Sequence, residues 1–529
     1  MIAPRETLAR YPAHDFTLAG ALASRCAVGP DRLFLVEGER RWSYGAFRDD
    51  VAAAARLLVD AGVGPGDRVA VLAPTNAALV TALFASARVG AIFVPLNPDL
   101  RPDEAAPIVA RARPRVLIHA EDLEGLARAA IVAVTPRPRL MAIGAAFGDF
   151  ARRPRLPTGT PAPAAESTCL VLFTSGTTGL AKGVMHAQRS FVVAGEGFVE
   201  RQWIQPDDRM LCILPMFHVN ALFYSLGGAL AAGATLVLGG KFSASRFWPL
   251  VAASGATQVN MLGSIGKILA LRPRDEFVAG HRLDRVYCVP LAGDVQRAFT
   301  AEFGVRWIAE GYGMSEVPGI LAQPYGAAPR IGTMGSVCRH PDGRALGAIR
   351  VLDDHGADVE PGNPGTLAIE TELVTQGYFE DPARTAVSFH GPYFVTGDVV
   401  REVAPGVYAF VARDKDMIRR RGENISAVEI DQAALTCPGV SEAAAVAVPS
   451  ELGEDDILLA VVPQAGASLT AVAVRDFLRA KLTAVKLPRY VALVDAVPYG
   501  PTQRVQRFKL AEDPALRQNA IDFADPERS

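Results

Sequence analysis

The sequence lacks the features that mark secreted, metal-binding and nucleic-acid-binding proteins. Its 529 residues include only six cysteines, dispersed and without a CxxC pair, which favours a reducing compartment and supplies no metal-ligand framework. Lys and Arg total 54 against 56 Asp and Glu, so the net charge of −2 offers no footprint for nucleic acid. The start, "MIAPRETLARYPAHDF", lacks the apolar segment of a signal peptide. We therefore expect a cytoplasmic globular protein.

One run without charged residues, Met210–Gly240, is long enough to cross a membrane. Pro215 interrupts it early, and five glycines break its second half. We interpret it as a strand, a buried helix over 219–232 that stops at Gly233, and a second strand. The sequence therefore predicts no membrane span.

Short apolar runs alternate with helical patterns through the first four hundred residues. Strands are predicted at 67–73, 91–96 and 115–120, and helices at 75–89 and 103–112 lie between them. This alternation predicts right-handed βαβ units, and hence an α/β fold of mostly parallel sheets flanked by helices.

The character of the sequence changes near residue 412, where a charged segment begins. Ser426 and Glu429 are spaced like a capping box, and strand-like runs follow. We predict a large N-terminal domain (1–414) and a small α+β C-terminal domain (415–529), because 529 residues exceed what one core usually supports. The last stretch, "RQNAIDFADPERS", has little to bury and is expected to fray.

The stretch "TSGTTGLAKG" (174–183) consists largely of Gly, Ser and Thr and contains one lysine, Lys182. Backbone N–H groups in such a turn can face an anion because side chains stay clear. The hydroxyls add donors and the lysine adds a mobile charge. The loop therefore predicts a polyphosphate site, although it meets neither the Walker pattern nor the dinucleotide pattern.

With four further segments, this loop resembles the adenylate-forming enzymes: acyl- and aryl-CoA ligases, peptide-synthetase adenylation domains and beetle luciferases. The segments follow the family's order: "GYGMSE" (311–316), "YFVTGD" (393–398), "ARDKDMIRRRGENISAVEID" (412–431) and "VPYGPTQRVQR" (497–507). The resemblance covers nearly the whole chain. It implies that the small C-terminal domain is mobile and pivots at Lys415.

The resemblance also assigns a role to each matched residue. Tyr312 would lie against adenine, Asp398 would accept hydrogen bonds from the ribose hydroxyls, and Glu316 would hold Mg²⁺. The residues expected to bind ATP or CoA are Thr174, Ser175, Gly176, Thr177, Thr178, Gly179, Lys182, Val289, Gly311, Tyr312, Gly313, Met314, Ser315, Asp398, Arg413, Arg421 and Gly422. Those expected to act in catalysis are Lys182, His218, Glu316, Lys415 and Arg504.

The implied reaction has two steps. A carboxylate displaces pyrophosphate from ATP to form an acyl-adenylate, and a thiol then displaces AMP. Because "RGENIS" (421–426) resembles the form common in CoA ligases, we expect coenzyme A as the thiol. A carrier-protein phosphopantetheine is the alternative acceptor, and a catalytically weak nucleotide-binding relative is a second alternative. The sequence leaves open whether the protein forms a homodimer.

Arg504 is the main departure from the family, since it stands where the relatives carry a catalytic lysine. Arginine keeps the charge but is planar and forked, so the exchange is not conservative at such a site. Three hypotheses follow: Arg504 does the work itself, Lys509 reaches in instead, or adenylation is weak. We favour the first.

The segment "PMFHVN" (215–220) bears on the acid substrate. It places His218 where amino-acid-activating relatives carry an aspartate, which disfavours an α-amino acid. This region looks most similar to the crotonobetaine/carnitine-CoA ligase-like branch, which implies a small or medium organic acid, with an aromatic acid as the main rival. The pocket candidates are His218, Asn220, Gly263, Ser264, Gly311 and Met314.

Overall fold

Two sheets, both mostly parallel, form the body of the large domain. The computed structural model describes residues 1–157, 159–174, 181–353, 355–413, 417–420, 423–450, 455–499 and 505–523. Within these ranges the first sheet has seven strands, of which only the last in spatial order is antiparallel to its neighbour. In that order they are Trp307–Ala309, Arg285–Val289, Gln258–Leu262, Arg209–Cys212, Thr235–Leu238, Leu33–Glu37 and Arg40–Ser43.

The second sheet has six strands in the described part of the chain, and again only the last strand is antiparallel. Its spatial order is Arg139–Ala142, Val116–His119, Arg68–Leu72, Ile92–Leu96, Thr168–Thr174 and Lys182–Ala187. The strands predicted at 67–73, 91–96 and 115–120 are confirmed here. The parallel βαβ arrangement follows from the alternation in the sequence.

Helices cover both sheets. The α-helices of this region are Pro4–Ala9, Leu18–Val28, Tyr44–Asp60, Ala77–Arg88, Pro102–Ala112, Glu124–Ala130, Gln188–Gln202, Gly227–Ala232, Phe247–Ser254, Gly263–Leu271, Gly293–Arg297 and Pro382–Val387. Short 3-10 turns lie at Glu121–Leu123, Phe150–Arg152 and Arg274–Glu276, and wider π-turns at Asn220–Leu226 and Ala298–Glu302. Helix Gln188–Gln202 is buried along nearly its whole length, so it is part of the core rather than of the surface.

The charge-free run is buried in the large domain. Strand Arg209–Cys212 leads into the π-turn and then into helix Gly227–Ala232. The helix stops at Gly233, whose φ of +68° is the left-handed conformation that glycine adopts without strain. The predicted strand–helix–strand order is confirmed, with a π-turn in place of the first helical turns. No helix in the described ranges has both the length and the apolar character that crossing a bilayer requires.

Two smaller antiparallel sheets lie towards the C-terminal side of the large domain. The three-stranded one comprises Gly311–Tyr312, Leu321–Ala322 and Ser336–Val337. The five-stranded one comprises Gly347–Leu352, Pro364–Thr371, Phe389–His390, Tyr393–Ala404 and Val407–Arg413. These sheets hold two of the predicted nucleotide segments, 311–316 and 393–398.

The C-terminal region has its own hydrophobic cores, formed by residues between 418 and 523. Its strands are Met417–Arg420, Glu423–Ser426, Val440–Pro449, Asp455–Pro463, Tyr490–Leu493 and Ile521–Asp522. Its helices are Ala427–Leu435, Ala471–Arg479, Ala484–Lys486 (3-10), Arg507–Ala511 and Pro514–Asn519. The Ser426 side chain accepts from the Glu429 N–H, as the capping pattern predicts. A second, separate core confirms the two-domain α/β fold.

The described part of the C-terminal stretch, up to residue 523, is ordered in a sheet, whereas the sequence predicted that it frays. Strand Ile521–Asp522 pairs with Tyr490–Val491, and Ala520 is buried, so residues up to 523 are held by the last sheet. The predicted domain boundary after residue 414 lies outside the described residues and stays a prediction.

A buried carboxylate ties the amino-terminal segment to the core. The two oxygens of Glu196 face His14 Nε2 at 3.0 Å and His340 Nε2 at 3.1 Å. Burial of Glu196 opposes ionisation, but the hydrogen bonds from both histidines outweigh it and lower the pKa to about 2. A carboxyl with a lowered pKa stabilises the fold above its unfolded pKa, and this contribution is lost as the pH falls through the folded value.

We therefore expect Glu196→Gln to lower the free energy of unfolding by an amount that is constant above about pH 5 and shrinks below it. Urea denaturation of both proteins between pH 7 and the acid limit of folding measures this difference, which should narrow as the pH falls from 4.5 towards 2. Glu200→Gln, on the same helix, is the control: burial raises the pKa of Glu200, so its pH dependence should have the opposite sign. A constant difference for Glu196→Gln across the acid range would contradict this account.

Candidate active site

Four of the predicted site residues lie at the same end of the parallel strands of the first sheet. Val289 ends its strand, and Gly263 and Gly311 follow the ends of the two neighbouring strands. His218 follows strand Arg209–Cys212. Because these strands are parallel, all four positions lie at their carboxyl ends, where open α/β sheets bind ligands.

Lys182 and Glu316 meet across the gap between the two sheets. Lys182 Nζ lies 2.5 Å from Glu316 Oε1, and the Tyr378 hydroxyl donates to the same oxygen at 2.8 Å. The Glu316 side chain is only 3% exposed, against 25% for Lys182. The carboxylate is therefore buried with two donors, while the ammonium keeps access to the surface.

The glycine-rich loop opens beside this ion pair. Thr174 and Lys182 face each other across an antiparallel strand pair, so both ends of the loop are fixed. The hydroxyl oxygen of Thr174 is buried and has no hydrogen-bond partner among the described residues. Residues 175–180, which include the predicted Ser175, Gly176, Thr177, Thr178 and Gly179, lie outside the described residues.

Tyr312 and Asp398 form a second contact between distant segments. The Tyr312 hydroxyl donates to Asp398 Oδ2 at 2.6 Å, and both residues are largely buried. Asp398 also pairs through its backbone with Arg413 on the neighbouring strand. Three segments that the sequence assigns to the nucleotide are therefore joined, although the Arg413 side chain lies outside the described atoms.

Gly313 has to be glycine because other groups occupy the space of a side chain. A Cβ at this position would lie 2.4 Å from the Gly319 nitrogen and 2.6 Å from the Tyr224 hydroxyl oxygen. The segment 311–316 can therefore pack closely on the core only without a side chain there. Met314 and Ser315 lie in the same tight turn.

The acid side of the site begins at His218. Its ring packs on Phe217 with centroids 4.5 Å apart, and its backbone N–H donates to the Pro215 carbonyl. Asn220 starts the π-turn, and its side-chain oxygen is buried without a partner in the described part of the chain. Wider turns of this kind recur at functional sites. The last pocket candidate, Ser264, is exposed on helix Gly263–Leu271.

Three neighbouring residues carry no motif and were not predicted. Tyr378 holds Glu316, and His186 Nε2 lies 2.7 Å from the Ser315 carbonyl. Burial lowers the pKa of His186 to about 4, so the ring is neutral at pH 7 and Nε2 is the donor. Glu310, just before Gly311, is buried with one unpartnered oxygen among the described atoms, and burial raises its pKa to about 7.

The C-terminal site residues are untested by the structure. Lys415, Arg421, Gly422 and Arg504 lie outside the described residues. Lys509, the alternative cation, is exposed on helix Arg507–Ala511. The roles assigned to these five residues remain predictions.

A cavity of about 690 Å³ lies at the opposite, amino ends of the same parallel strands. Its floor is an ion pair between Arg285 and Asp208 at 2.5 Å. Arg306 is likewise paired with Asp284, at 2.7 Å. The cavity is therefore separate from the candidate site.

The chain matches the family described as AMP-binding enzyme over residues 22–379. A second match, to the AMP-binding enzyme C-terminal domain, covers residues 429–502. The protein belongs to the AMP-binding enzyme family. The resemblance inferred from the five ordered segments is thereby confirmed, whereas the crotonobetaine/carnitine branch is not.

Similar members of the AMP-binding enzyme family are acid–CoA ligases. Sulfoacetate–CoA ligase of Cupriavidus necator is 32% identical over 93% of this chain and 97% of its own. Oxalate–CoA ligase of Arabidopsis thaliana is 29% identical over 94% and 98% of the two chains. Among solved structures, ATP-bound MatB of Rhodopseudomonas palustris has a TM-score of 0.84 and 25% identity, covering 93% of this chain and 98% of its own.

These matches confirm the predicted enzyme class. The protein is an ATP-dependent, AMP-forming acid–CoA ligase that works through an acyl-adenylate. ATP and coenzyme A are its co-substrates.

We expect Tyr378→Phe to lower kcat/KM for ATP about tenfold, because Glu316 loses one of its two donors and the Lys182 ion pair becomes less fixed. Initial rates of pyrophosphate release at varied ATP measure the effect. Tyr325→Phe is the matched control, since that ring stacks on Trp203 and belongs to none of the predicted nucleotide segments. Equal kcat/KM in both variants would contradict a role for Tyr378 at Glu316.

Proposed function

We propose that ATP binds between the glycine-rich loop and the segment 311–316, at the carboxyl edge of the first sheet. The observation that carries this proposal is the convergence of Lys182, Glu316 and Tyr378, whose segments are far apart in the chain. Lys182, at the end of the loop, neutralises phosphate charge. The buried Thr174 hydroxyl adds a donor, which supports a phosphate position beside it.

Tyr312 and Asp398 hold the nucleoside. Asp398 accepts hydrogen bonds from the ribose hydroxyls, and Tyr312 orients its carboxylate through the 2.6 Å hydrogen bond. Val289 and the Tyr312 ring flank the adenine. Since the protein supplies little covalent chemistry in such a transfer, the rate depends on how firmly these groups fix the α-phosphate in line with the acid.

The residues present fit a magnesium ion held mainly by phosphate oxygens. Glu316 offers one buried carboxylate, and Mg²⁺ in nucleotide sites commonly takes one or two carboxylates together with phosphate oxygens and water. When bound, the ion neutralises charge on the departing pyrophosphate. In the described structure Lys182 pairs with the same carboxylate. The two groups are therefore close enough for Lys182 to contact the phosphate oxygens while Glu316 holds the ion.

We propose that the acid is a small organic carboxylate with a polar substituent. The polar side chains of His218 and Asn220 at the entrance of the site support this choice, because the unpartnered Asn220 oxygen can accept a hydrogen bond from the substrate or its water. The similarity to ligases of sulfoacetate and oxalate points in the same direction. The alternative is an aromatic acid, and its support is the 29% identity to 3-hydroxybenzoate–CoA ligase of Aromatoleum.

A pyrophosphate-release screen with CoA tests the function. We expect release that depends on a short polar acid, and a matching CoA thioester by mass spectrometry. Asp398→Asn should raise KM for ATP about tenfold, because an amide replaces the acceptor-only carboxylate. Asp358→Asn, at an exposed ion pair with Arg350, is the control and should leave KM unchanged. No pyrophosphate release with any acid would refute the proposal, and thioester formation only on a carrier protein would favour the alternative acceptor.

We further propose that Arg504 takes the place of the family's catalytic lysine. Arg504→Ala should then reduce pyrophosphate release at least about 100-fold, because a charged contact to the acid and the α-phosphate is lost. Lys509→Ala should leave the rate near that of the parent protein, and the double variant should match Arg504→Ala. An unaltered rate of pyrophosphate release in Arg504→Ala would contradict this assignment. A loss of rate confined to Lys509→Ala would assign the catalytic role to Lys509 instead.

We also propose a cytoplasmic location, which the buried, unbridged state of all six cysteines supports. The homodimer stays a prediction that light scattering of the purified protein would decide.

A further inference from the structure

Arg201 is a fully buried cation without a carboxylate partner in the described part of the chain. It lies near the end of helix Gln188–Gln202 and is 4% exposed. Its guanidinium packs over the rings of Phe198 and Tyr224 at 5.4 and 5.3 Å. Nε and Nη1 have no hydrogen-bond partner among the described residues. Burying such a group is costly unless it makes a specific contact.

The specific contact of Arg201 is with the turn at Gly319, which lies in the same segment as Tyr312 and Glu316. Arg201 Nη2 donates to the Gly319 carbonyl. Gly319 has a φ of +64°, and a Cβ there would lie 2.5 Å from Arg201 Nη1, so only glycine lets the guanidinium reach the backbone. The adjacent Gly313, which also lacks space for a side chain, packs against the Gly319 nitrogen.

The turn belongs to a hairpin, 311–322, that presents both Tyr312 and Glu316. Its strands Gly311–Tyr312 and Leu321–Ala322 pair antiparallel, and Ile320 donates back to the Tyr312 carbonyl. Tyr312 at one end contacts Asp398, and Glu316 near the tip contacts Lys182. A shift of this hairpin would therefore move the nucleoside and phosphate contacts together.

One continuous strand–helix unit, residues 182–202, contacts the hairpin at three successive points. Lys182 bonds to Glu316, His186 to the Ser315 carbonyl, and Arg201 to the Gly319 carbonyl. Strand Lys182–Ala187 leads directly into helix Gln188–Gln202, so the three contacts are attached to a single rigid element. The last contact lies about twenty residues from the first, which prevents the hairpin from pivoting about the ion pair.

We infer that Arg201 is a positioning residue for ATP, which fixes the hairpin 311–322 relative to Lys182 by holding the Gly319 carbonyl. This inference rests on the proposed nucleotide site. It predicts that Arg201 affects the binding of ATP rather than of the acid. The side chains that would move with the hairpin are Tyr312 and Glu316, which are assigned to the nucleotide. Lysine can replace the charge but offers a single ammonium in place of the planar fork.

The test is steady-state pyrophosphate release by the full-length protein carrying Arg201→Met or Arg201→Lys, with ATP and acid varied separately. We expect KM for ATP to rise about tenfold in Arg201→Met and about threefold in Arg201→Lys, with KM for the acid within twofold of the parent. Arg285→Met is the matched control: Arg285 is equally buried, but it pairs with Asp208 at the amino ends of the strands. It should lower Tm and leave KM for ATP unchanged.

The outcomes separate the two proposals. If the parent protein releases no pyrophosphate with any acid, the proposed function fails. If the parent is active and Arg201→Met has an unchanged KM for ATP, the positioning role is overturned. It is also overturned if Arg285→Met raises the KM for ATP as much as Arg201→Met does. Should Arg201→Met not fold, the threefold rise in Arg201→Lys carries the test, and an unchanged KM in that variant overturns the inference.

Discussion

The ion pair between Lys182 and the buried Glu316 joins two distant segments of the predicted nucleotide site. Lys182 begins the edge strand of the second sheet, and Glu316 lies in the hairpin that follows the first sheet. Removing one member of such a pair leaves a buried charge without compensation, which costs several kcal/mol in most proteins. The pair therefore fixes how the loop and the hairpin face each other, and Tyr378 holds its acidic member in place.

Rigidity around this pair comes from backbone contacts rather than from further charges. The carbonyls of Ser315, Glu316 and Gly319 are each bonded from outside the hairpin, by His186, the Thr375 N–H and Arg201 respectively. Two of these donors belong to the strand and helix that continue from Lys182. Thr174 and Lys182, the two ends of the predicted phosphate loop, are therefore attached to well-packed elements.

The ligase has two regions, each with its own hydrophobic core. Four of the predicted site residues, His218, Gly263, Val289 and Gly311, lie at the carboxyl ends of parallel strands in the large domain. The thiol-side segment and Arg504 belong to a region with a separate core. The match to the AMP-binding enzyme C-terminal domain at residues 429–502 falls in this separately packed region.

The sequence by itself determined the family, the α/β class and the enzyme class, and it predicted the nucleotide residues. These follow from local patterns: alternating apolar runs, a loop of glycines and hydroxyls, and five segments in a fixed order. Lys182, Glu316, Tyr312 and Asp398 were predicted in this way, and the structure brings Lys182 to Glu316 and Tyr312 to Asp398. Only the tertiary structure identified Tyr378, His186 and Arg201, because they act through contacts with residues 62, 129 and 118 positions away and belong to no recognisable segment. From the sequence alone, an arginine in a helix is expected at the surface. Only the packing shows that the Arg201 guanidinium is buried and reaches the Gly319 carbonyl, because Gly319 has no side chain in the way.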